Sequence, residues 1–286
     1  MANNIKSELF FLKQYGYSDG LLEYIFLSGQ NPIYFIFDND EYTEDEKKIF
    51  TKKDENLSFD KEKYKEFKIK LFNNEPFLTK NSINKIYFKY DETYFNELLP
   101  EKIQPLFMYS KGNEKLLSTS LKRISVVGTR NPKERSIIAT KNLVKKYVEK
   151  GYVIVSGLAE GIDSVAHQVA LENRGKTIAV LPTNFNNIYP KKNQSLARKI
   201  QKTGLLITSI GPNENTFKSS FLERNQYVAN ISEVLLVIET NLKSGTMNTI
   251  RNAGLANKKI LFIDQKNEEV NEKISKYGGV KINEYY

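Results

Sequence analysis

The residues of this chain best suited to chemistry are basic side chains that stand beside glycine turns or at the starts of helices. An arginine guanidinium forks onto phosphate oxygens, glycine lets the backbone approach a ligand, and an aromatic ring gives a base a face to stack on. The candidates for a site that contacts the phosphates and bases of a nucleic acid are Gly128, Thr129, Arg130, Ser156, Gly157, Lys218, Phe221, Arg224, Asn225, Lys243, Ser244 and Gly245. The general acids and nucleophiles that hydrolysis needs do not cluster with them, so the set predicts binding rather than catalysis.

A regular alternation of strands and helices must position these residues. Short apolar, β-branched runs are typical of strands buried on both faces, and amphipathic stretches follow them. Strands are predicted at residues 123–128, 152–156, 176–181, 205–210, 233–239 and 259–263, and helices at residues 136–150, 162–173, 193–203, 219–231 and 246–257. This order indicates an α/β fold with a Rossmann-like, doubly wound parallel sheet, whose ligand sites lie in the loops after the strands. Two of these loops place glycine near a helix start, where backbone N–H groups favour anions.

Such a sheet also occurs in enzymes that bind dinucleotides or nucleotides. The G-x-G-x-x-G turn that binds a dinucleotide is missing, because Gly128 stands alone before Thr129 and Arg130. The chain also has no phosphate-binding G-x-x-x-x-G-K-[ST] loop. Since these two motifs carry the phosphate contacts in those enzymes, their absence disfavours both classes.

Structural interpretations compete with the binding interpretation at several of these positions. The two glycines within Ser156-Gly157-Leu158-Ala159-Glu160-Gly161-Ile162-Asp163 fit an ordinary strand-to-helix connection, with Asp163 favouring the helix start. Phe221 fits the core of its helix, and Arg224 fits a structural pairing with a carboxylate such as Asp163 or Glu239. The sequence leaves these alternatives open.

Charge is distributed unevenly along the chain, and its placement is informative. Residues 1–120 carry 17 basic and 20 acidic side chains, a net charge of −3, whereas residues 121–286 carry 26 and 14, a net charge of +12. The whole basic excess therefore lies in the α/β part. Such asymmetry predicts a polyanionic partner for that part, although a solvated basic surface would give the same count.

Composition narrows the class further. The chain has no cysteine and one histidine, His167, so disulfides, zinc–thiolate sites and multi-histidine metal sites are excluded, and we predict neither a metal nor a cofactor. We interpret His167 as a packing residue rather than a catalyst. No apolar run approaches the roughly 20 residues needed to span a bilayer, and the start lacks the order of a signal peptide. A cytoplasmic protein without membrane association is the expectation.

The first part of the chain predicts a separate, mainly helical unit without chemistry of its own. Residues 1–75 have helical periodicity, residues 83–90 predict a strand, and prolines near residue 100 mark a linker. We therefore predict two domains, a helical one at residues 1–100 and a Rossmann-like one at residues 101–286. The chain ends soon after the last predicted strand, so we expect no C-terminal winged helix.

Residues 98–264 resemble the DNA-processing protein A family (DprA, also called Smf). The motifs that carry the resemblance are Val126-Val127-Gly128-Thr129-Arg130, Ser156 to Asp163, Ala166 to Leu171, Ile188-Tyr189-Pro190, Phe221-Leu222-Glu223-Arg224-Asn225 and Lys243-Ser244-Gly245-Thr246. They occur in the order typical of the family, and each lies in the element where the family has it.

The resemblance implies a protein that binds single-stranded DNA without catalysis, protects it during natural transformation and loads the RecA recombinase onto it, as a homodimer. The family's DNA-binding positions correspond to Arg130, Lys218, Phe221, Arg224 and Lys243, and the helical part is faintly similar to its sterile-alpha-motif-like domain. Gln226 stands where the family often has a second basic residue, which leaves RecA loading less supported than DNA binding. The alternative is a small-nucleotide sensor or nucleotide-processing enzyme of the same superfamily.

Self-association is expected at the end of the second domain. The last predicted strand and the helix before it, with Leu255 and Ala256, should lie at the edge of the sheet, where exposed backbone groups need cover. The resemblance implies the same region. The alternative is that residues 268–286 fold back over this edge.

Overall fold

The computed structural model describes residues 2–72, 83–92 and 94–283, and its strands form one sheet. The strands are β1 (Lys85–Phe88), β2 (Phe107–Gly112), β3 (Arg123–Val127), β4 (Val153–Ser156), β5 (Thr177–Val180), β6 (Leu205–Thr208), β7 (Val234–Val237), β8 (Lys259–Ile263) and β9 (Gly279–Ile282). Their order across the sheet is β1-β2-β6-β5-β4-β3-β7-β8-β9. The pairs from β6 through β9 are parallel, whereas β1–β2 and β2–β6 are antiparallel. The six predicted strands and the Rossmann-like, doubly wound sheet are confirmed.

Helices connect the strands as the sequence predicts. The described helices are α1 (Ala2–Tyr15), α2 (Asp19–Ser28), α3 (Glu44–Lys47), α4 (Lys52–Glu55), α5 (Lys61–Phe72), α6 (Tyr94–Leu98), α7 (Glu134–Glu149), α8 (Ile162–Glu172), α9 (Gln194–Thr203), α10 (Lys218–Asn230), α11 (Gly245–Leu255) and α12 (Glu268–Lys276). The bounds of α7 to α11 lie within two residues of the predicted ones. Residues 73–75 of the predicted helical segment lie outside the described residues. Within the described ranges, no helix has the length and apolar character needed to cross a membrane.

Each face of the parallel sheet carries its own core, because alternate residues of a strand point to opposite sides. In β4, Ile154 packs in a cluster with residues of α7 and α8, among them Leu143 and Ala166. Its neighbour Val155 belongs to a different cluster, which includes Val228 of α10 and Ile250 of α11. The two helix layers hold the strands between them and fix the loops at the carboxyl edge, where ligand sites are expected.

The chain changes from one helix layer to the other between β6 and β7. The central strand β3 pairs with β4 on one side and with β7 on the other, so the strand order reverses beside it. In open α/β sheets a crevice forms at such a reversal, outside the carboxyl ends of the strands. The loops after β3, β4 and β7 and the helix α10 surround this crevice.

The first helices pack on the antiparallel extension of the sheet. Leu9 of α1, Leu22 of α2 and Tyr64 of α5 are buried in one cluster with Phe88 of β1 and Phe107 of β2. Because β1 pairs with β2, and β2 with β6, the helical part and the parallel sheet are joined through continuous strand pairing. The boundary near residue 100 stays a prediction.

The prediction that β8 lies at the sheet edge is wrong. After α12 the chain returns as β9, which pairs in parallel with β8 from Ile260 opposite Gly279 to Ile263 opposite Ile282. The alternative, a tail folded back over the edge, is the arrangement observed. Leu255, at the end of α11, remains 72% exposed.

Candidate nucleic-acid interface

The crevice beside β3 collects most of the predicted site residues. It has a volume of about 430 Å³, and a smaller side pocket of about 160 Å³ opens next to it. Nine candidates line the crevice: Gly128, Thr129, Arg130, Gly157, Phe221, Arg224, Asn225, Ser244 and Gly245. Lys218, Lys243 and Ser156 do not line it. Residues far apart in sequence meet here because the loops after parallel strands open at one edge.

Three basic residues in the elements that surround the crevice, of which only Arg130 lines it, have side chains without a protein partner in the described part of the chain. Arg130 follows the glycine turn after β3, Lys218 is the first residue of α10, and Lys243 precedes the start of α11. All three are exposed, and within the described part of the chain none of their side chains forms a hydrogen bond or an ion pair. Cations that the fold leaves unpaired can take phosphate groups without first breaking an internal contact.

Arg224 differs from these three because it is buried, with 6% of its surface exposed. Its Nη1 donates to the carbonyl oxygen of Gly157, and to that of Val180 at 3.4 Å. Burial lowers the pKa of Arg224 below its ordinary value, whereas the charge of Asp163 opposes this and that of Arg130 adds to it. A Cβ at position 157 would lie 1.9 Å from Nη1, so glycine there makes room for the guanidinium. Arg224 thus has structural partners, but they are backbone carbonyls rather than the carboxylate that the alternative named.

In the loop after β4, an internal carboxylate bonds to two of the backbone amides. The Oδ2 atom of Asp163 accepts hydrogen bonds from the backbone N–H of Gly157 at 3.1 Å and of Ala159 at 3.3 Å. An internal carboxylate thus occupies the position expected for a bound anion. Ser156 is fully buried, and its hydroxyl donates to the carbonyl of Val126 at 2.7 Å. This side chain supports the sheet and is not exposed to a ligand.

Hydrogen bonds tie the loops around the crevice to one another. The Thr246 hydroxyl donates to the carbonyl of Gly128 at 3.0 Å, and the Asn225 amide donates to the carbonyl of Gly245 at 3.3 Å. Ser244 caps α11, where its hydroxyl accepts from the N–H of Met247 at 3.1 Å. The turn after β3 is therefore held by α11, and α11 is held by α10.

Aromatic side chains stand at the opening of the crevice. Phe221 lines both the crevice and the side pocket, and its ring meets that of Tyr189 edge to face, with centroids 5.6 Å apart. Tyr189 is 47% exposed and Phe217, just before α10, is 58% exposed. Exposed rings beside unpaired cations are the combination that single-stranded nucleic-acid sites use.

A family model, that of DNA recombination-mediator protein A, matches residues 85–278. The chain belongs to this family. The resemblance drawn from its motifs is confirmed.

Curated relatives in the DNA recombination-mediator protein A family share about a third of the aligned residues. The DNA processing protein DprA of Bacillus subtilis is 37% identical over 145 residues, which make up 51% of this chain and 48% of the relative. The corresponding protein of Streptococcus pneumoniae is 36% identical over 149 residues, 52% of each chain. The chain spans about half the length of the curated relatives it matches.

Solved structures of family members show the same fold. The X-ray structure of DNA processing protein A from Streptococcus pneumoniae superposes with a TM-score of 0.71, covering 98% of this chain and 95% of that chain at 24% identity. DNA processing protein A from Helicobacter pylori, described for its single-stranded DNA binding mode, gives a TM-score of 0.61 at 30% identity and covers 69% of this chain and 91% of that chain.

In this family member, the single histidine is a core residue, as the sequence indicates. His167 is fully buried, and its Nδ1 lies 2.7 Å from the hydroxyl of Thr177, which itself donates to the carbonyl of Ile154. The threonine therefore accepts from Nδ1–H, which fixes one neutral tautomer. Burial, together with the charge of Arg224, lowers the pKa of His167 to about 3.

Sequence reasoning missed two residues that line the side pocket, Glu160 and Tyr189. Both lie in loops that follow parallel strands, β4 and β5, so the rule that located the other candidates could also have located them. Charge alone gives no signal at Glu160, because an acidic side chain does not fit a phosphate site.

Proposed function

We propose that this protein binds single-stranded DNA at the crevice beside β3 and acts as a recombination mediator without catalytic activity of its own. Arg130, Lys218 and Lys243 would hold backbone phosphates, and Phe221 would stack on a base. Arg224 would support the turn at Gly157 rather than bind the strand, with Ser156 in a similar structural role. The glycines and hydroxyls of the crevice let a strand approach the backbone closely.

The observation that carries the proposal is the set of unpaired cations in the elements around a crevice that the half-buried ring of Phe221 lines. Most surface lysines of the described helical part are paired, as Lys47 is with Glu44 at 2.8 Å. Arg130, Lys218 and Lys243, like other exposed basic residues of the second half such as Lys199, have no such partner within the described ranges, and they differ from those in belonging to the elements around the crevice. Family membership and the single-stranded DNA binding named for the Helicobacter pylori protein support the same function.

Fluorescence anisotropy with a labelled oligothymidylate tests the proposal. The logarithm of the affinity should fall linearly with the logarithm of salt concentration, by about 0.7 for each phosphate neutralised. Arg130→Ala and Lys218→Ala should weaken binding and make this slope shallower. Lys199→Ala is the matched control, because Lys199 is an exposed lysine of the same basic half that lies on α9, away from α10 and the loops that surround the crevice. If all three substitutions lowered the affinity equally, or if the affinity of the parent protein did not change with salt, the assignment of phosphate contacts to Arg130 and Lys218 would be refuted.

Two competitors separate this function from the alternatives. Duplex DNA of the same length should compete poorly, since stacking on Phe221 needs an unpaired base. A mononucleotide should also compete poorly, because it offers one phosphate to three cations. Displacement by the mononucleotide at equal concentration would instead favour the nucleotide sensor or processing enzyme. Release of a nucleotide product during incubation would contradict the absence of catalysis.

The further roles implied by the family resemblance belong to the same proposal. We propose that the protein acts in the cytoplasm, loads RecA onto the bound strand during DNA uptake, and works as a homodimer. The exposed Leu255 and the outer edge of β9 are the surface that we assign to self-association. Light scattering at tens of micromolar should give twice the 33.0 kDa mass of the chain. RecA filament assembly on oligonucleotide, followed with and without this protein, tests the loading role.

A further inference from the structure

The side pocket differs in chemistry from the crevice that it adjoins. Both are lined by Arg130, Gly157 and Phe221, but the side pocket adds Glu160 and Tyr189, together with two prolines. The crevice combines glycines and hydroxyl side chains with apolar residues and Asp163. Arg130 and Arg224 line both spaces, and what distinguishes the side pocket is its rings and the carboxylate of Glu160.

The walls of the side pocket suit a flat aromatic ligand. Pro182 and Pro190 are buried, and Tyr189 meets Phe221 edge to face with an interplanar angle of 88°. The volume of about 160 Å³ lies below the roughly 300 Å³ at which pockets for drug-sized ligands begin. A single nucleobase therefore fits the chemistry and the scale of this pocket better than a whole nucleotide.

Glu160 decides what kind of base the pocket can bind. Its side chain is 34% exposed, and Oε2 lies 2.5 Å from the Nζ of Lys192. In the described part of the chain, Oε1 has no hydrogen-bond partner. An ionised carboxylate only accepts hydrogen bonds, and it repels phosphate. The group is thus unsuited to the DNA backbone and suited to N–H donors on a base.

We propose that the side pocket binds one base of the bound strand and prefers guanine, with Glu160 accepting from its Watson–Crick edge. Guanine presents two adjacent donors, N1–H and N2–H, that match the two oxygens of a carboxylate, since Oε2 can accept a second hydrogen bond beside that of Lys192. Thymine presents one N–H between two carbonyl oxygens, and a carboxylate repels those oxygens. In adenine and cytosine the amino group stands beside a ring nitrogen that accepts hydrogen bonds. None of these three bases therefore offers a carboxylate two adjacent donors. Reading unpaired bases by this edge is common in single-strand recognition. The inference rests on the proposed function and adds base preference to it.

The test compares oligothymidylate with strands of equal length in which isolated thymines are replaced by guanine or by hypoxanthine. Guanine should bind about 5- to 10-fold more tightly, the lower part of the range for one bidentate contact. Hypoxanthine lacks the 2-amino group, so it should lose most of this gain. Keeping the guanines isolated prevents the strands from forming four-stranded structures.

Glu160→Gln provides the decisive variant, because the amide keeps the size of the side chain but replaces one acceptor with a donor. It should abolish the preference for guanine while leaving affinity for oligothymidylate the same or slightly higher. Glu149→Gln is the matched control, since Glu149 is also paired with a lysine, Lys145, but lies on α7 and does not line the pocket. This control should keep the preference.

Equal affinity for guanine and thymine strands in the parent protein would overturn the inference and leave single-strand binding intact. A preference that survives in Glu160→Gln would overturn it as well. Guanosine monophosphate that displaces the strand while thymidine monophosphate does not would assign the pocket to a free nucleotide, against the proposal. Loss of binding to every strand would overturn the proposed function itself.

Discussion

The ion pair between Lys13 and Glu214 joins the first helix to the loop that leads into α10. The Nζ of Lys13 lies 2.7 Å from Asp19 Oδ1 and 3.1 Å from Glu214 Oε2. The side chains of Lys13 and Glu214 are only 9% and 10% exposed. Burial opposes the charge of Lys13, but the two carboxylates outweigh it and raise the pKa of Lys13 above its ordinary value. The lysine is therefore a buried cation whose partners stand on both halves of the chain.

Lys13→Met removes this charge while keeping the length of the side chain. Glu214 would then remain buried, with one oxygen bonded to the N–H of Gly211 at 3.1 Å and the other unpaired. Breaking a buried ion pair from one side costs about 3–5 kcal/mol. Because Asp19 is 40% exposed and stays hydrated, we expect the lower end, a loss of about 3 kcal/mol in the free energy of unfolding.

The double variant Lys13→Met/Glu214→Gln separates charge from packing. Glutamine can still accept from Gly211 but leaves no buried charge, so the double variant should recover to within about 1 kcal/mol of the parent. Urea unfolding followed by circular dichroism and tyrosine fluorescence measures both values. Lys47→Met is the control, because the Lys47–Glu44 pair is largely exposed and its loss should leave the midpoint unchanged.

Two results would refute this reasoning. One is a Lys13→Met protein as stable as the parent, and the other is a double variant no more stable than the single one. The loop that Glu214 anchors leads directly to Phe217 and Lys218. A destabilised loop should therefore also weaken oligonucleotide binding under conditions in which Lys13→Met is folded.

Three further predictions follow from single contacts. Gly157→Ala should lower the free energy of unfolding in urea by about 1–3 kcal/mol, since the new Cβ would collide with Arg224. Gly20→Ala is the control, because a Cβ at this position in α2 would have no neighbouring atom within 4 Å, and it should be neutral or stabilising. His167 has a pKa of about 3 in the folded protein against an ordinary 6.5, so between these two pH values the unfolded chain binds a proton that the folded protein does not. The free energy of unfolding should therefore fall by about 2 kcal/mol between about pH 8 and about pH 5. The His167→Gln variant should not show this loss. Phe221→Ala should weaken oligothymidylate binding by about 1–3 kcal/mol with little change in the salt slope, and an unfolded variant or an unchanged affinity would contradict its role as a stacking residue.

The parallel sheet could be predicted from sequence because local patterns and the global fold agree there. Buried runs such as Val153–Ser156 alternate with amphipathic helices, and glycine marks the turns between them. β9 was missed because it is four residues long and its exposure pattern lacks a buried face. A short, exposed strand of this kind depends on pairing with β8 and carries little signal of its own.

The site could be placed at the right edge of the sheet, but the role of each polar residue could not be settled. Arg224 and Arg130 look equivalent in sequence, yet one faces backbone carbonyls and the other faces solvent. That difference depends on how α10 packs over the ends of β4 and β5, which no local pattern encodes. The pairing of Lys13 with Glu214 was equally invisible, because it needs the folded arrangement of distant segments.

Two backbone amides of the loop after β4 bond to an internal carboxylate, which bears on how the proposed site would hold a phosphate. In many α/β proteins the backbone N–H groups at a helix start bind the phosphate themselves. Here the carboxylate of Asp163 fills that position, and the guanidinium of Arg224 bonds to the Gly157 carbonyl beside it. In the proposed function, phosphates would therefore be held by the exposed side chains of Arg130, Lys218 and Lys243. Contacts made by flexible side chains can follow a strand of variable conformation, whereas a rigid amide cradle would select a single phosphate geometry. Two amides bonded to an internal carboxyl group, together with exposed cations around the crevice, thus favour a polymer ligand over a free nucleotide.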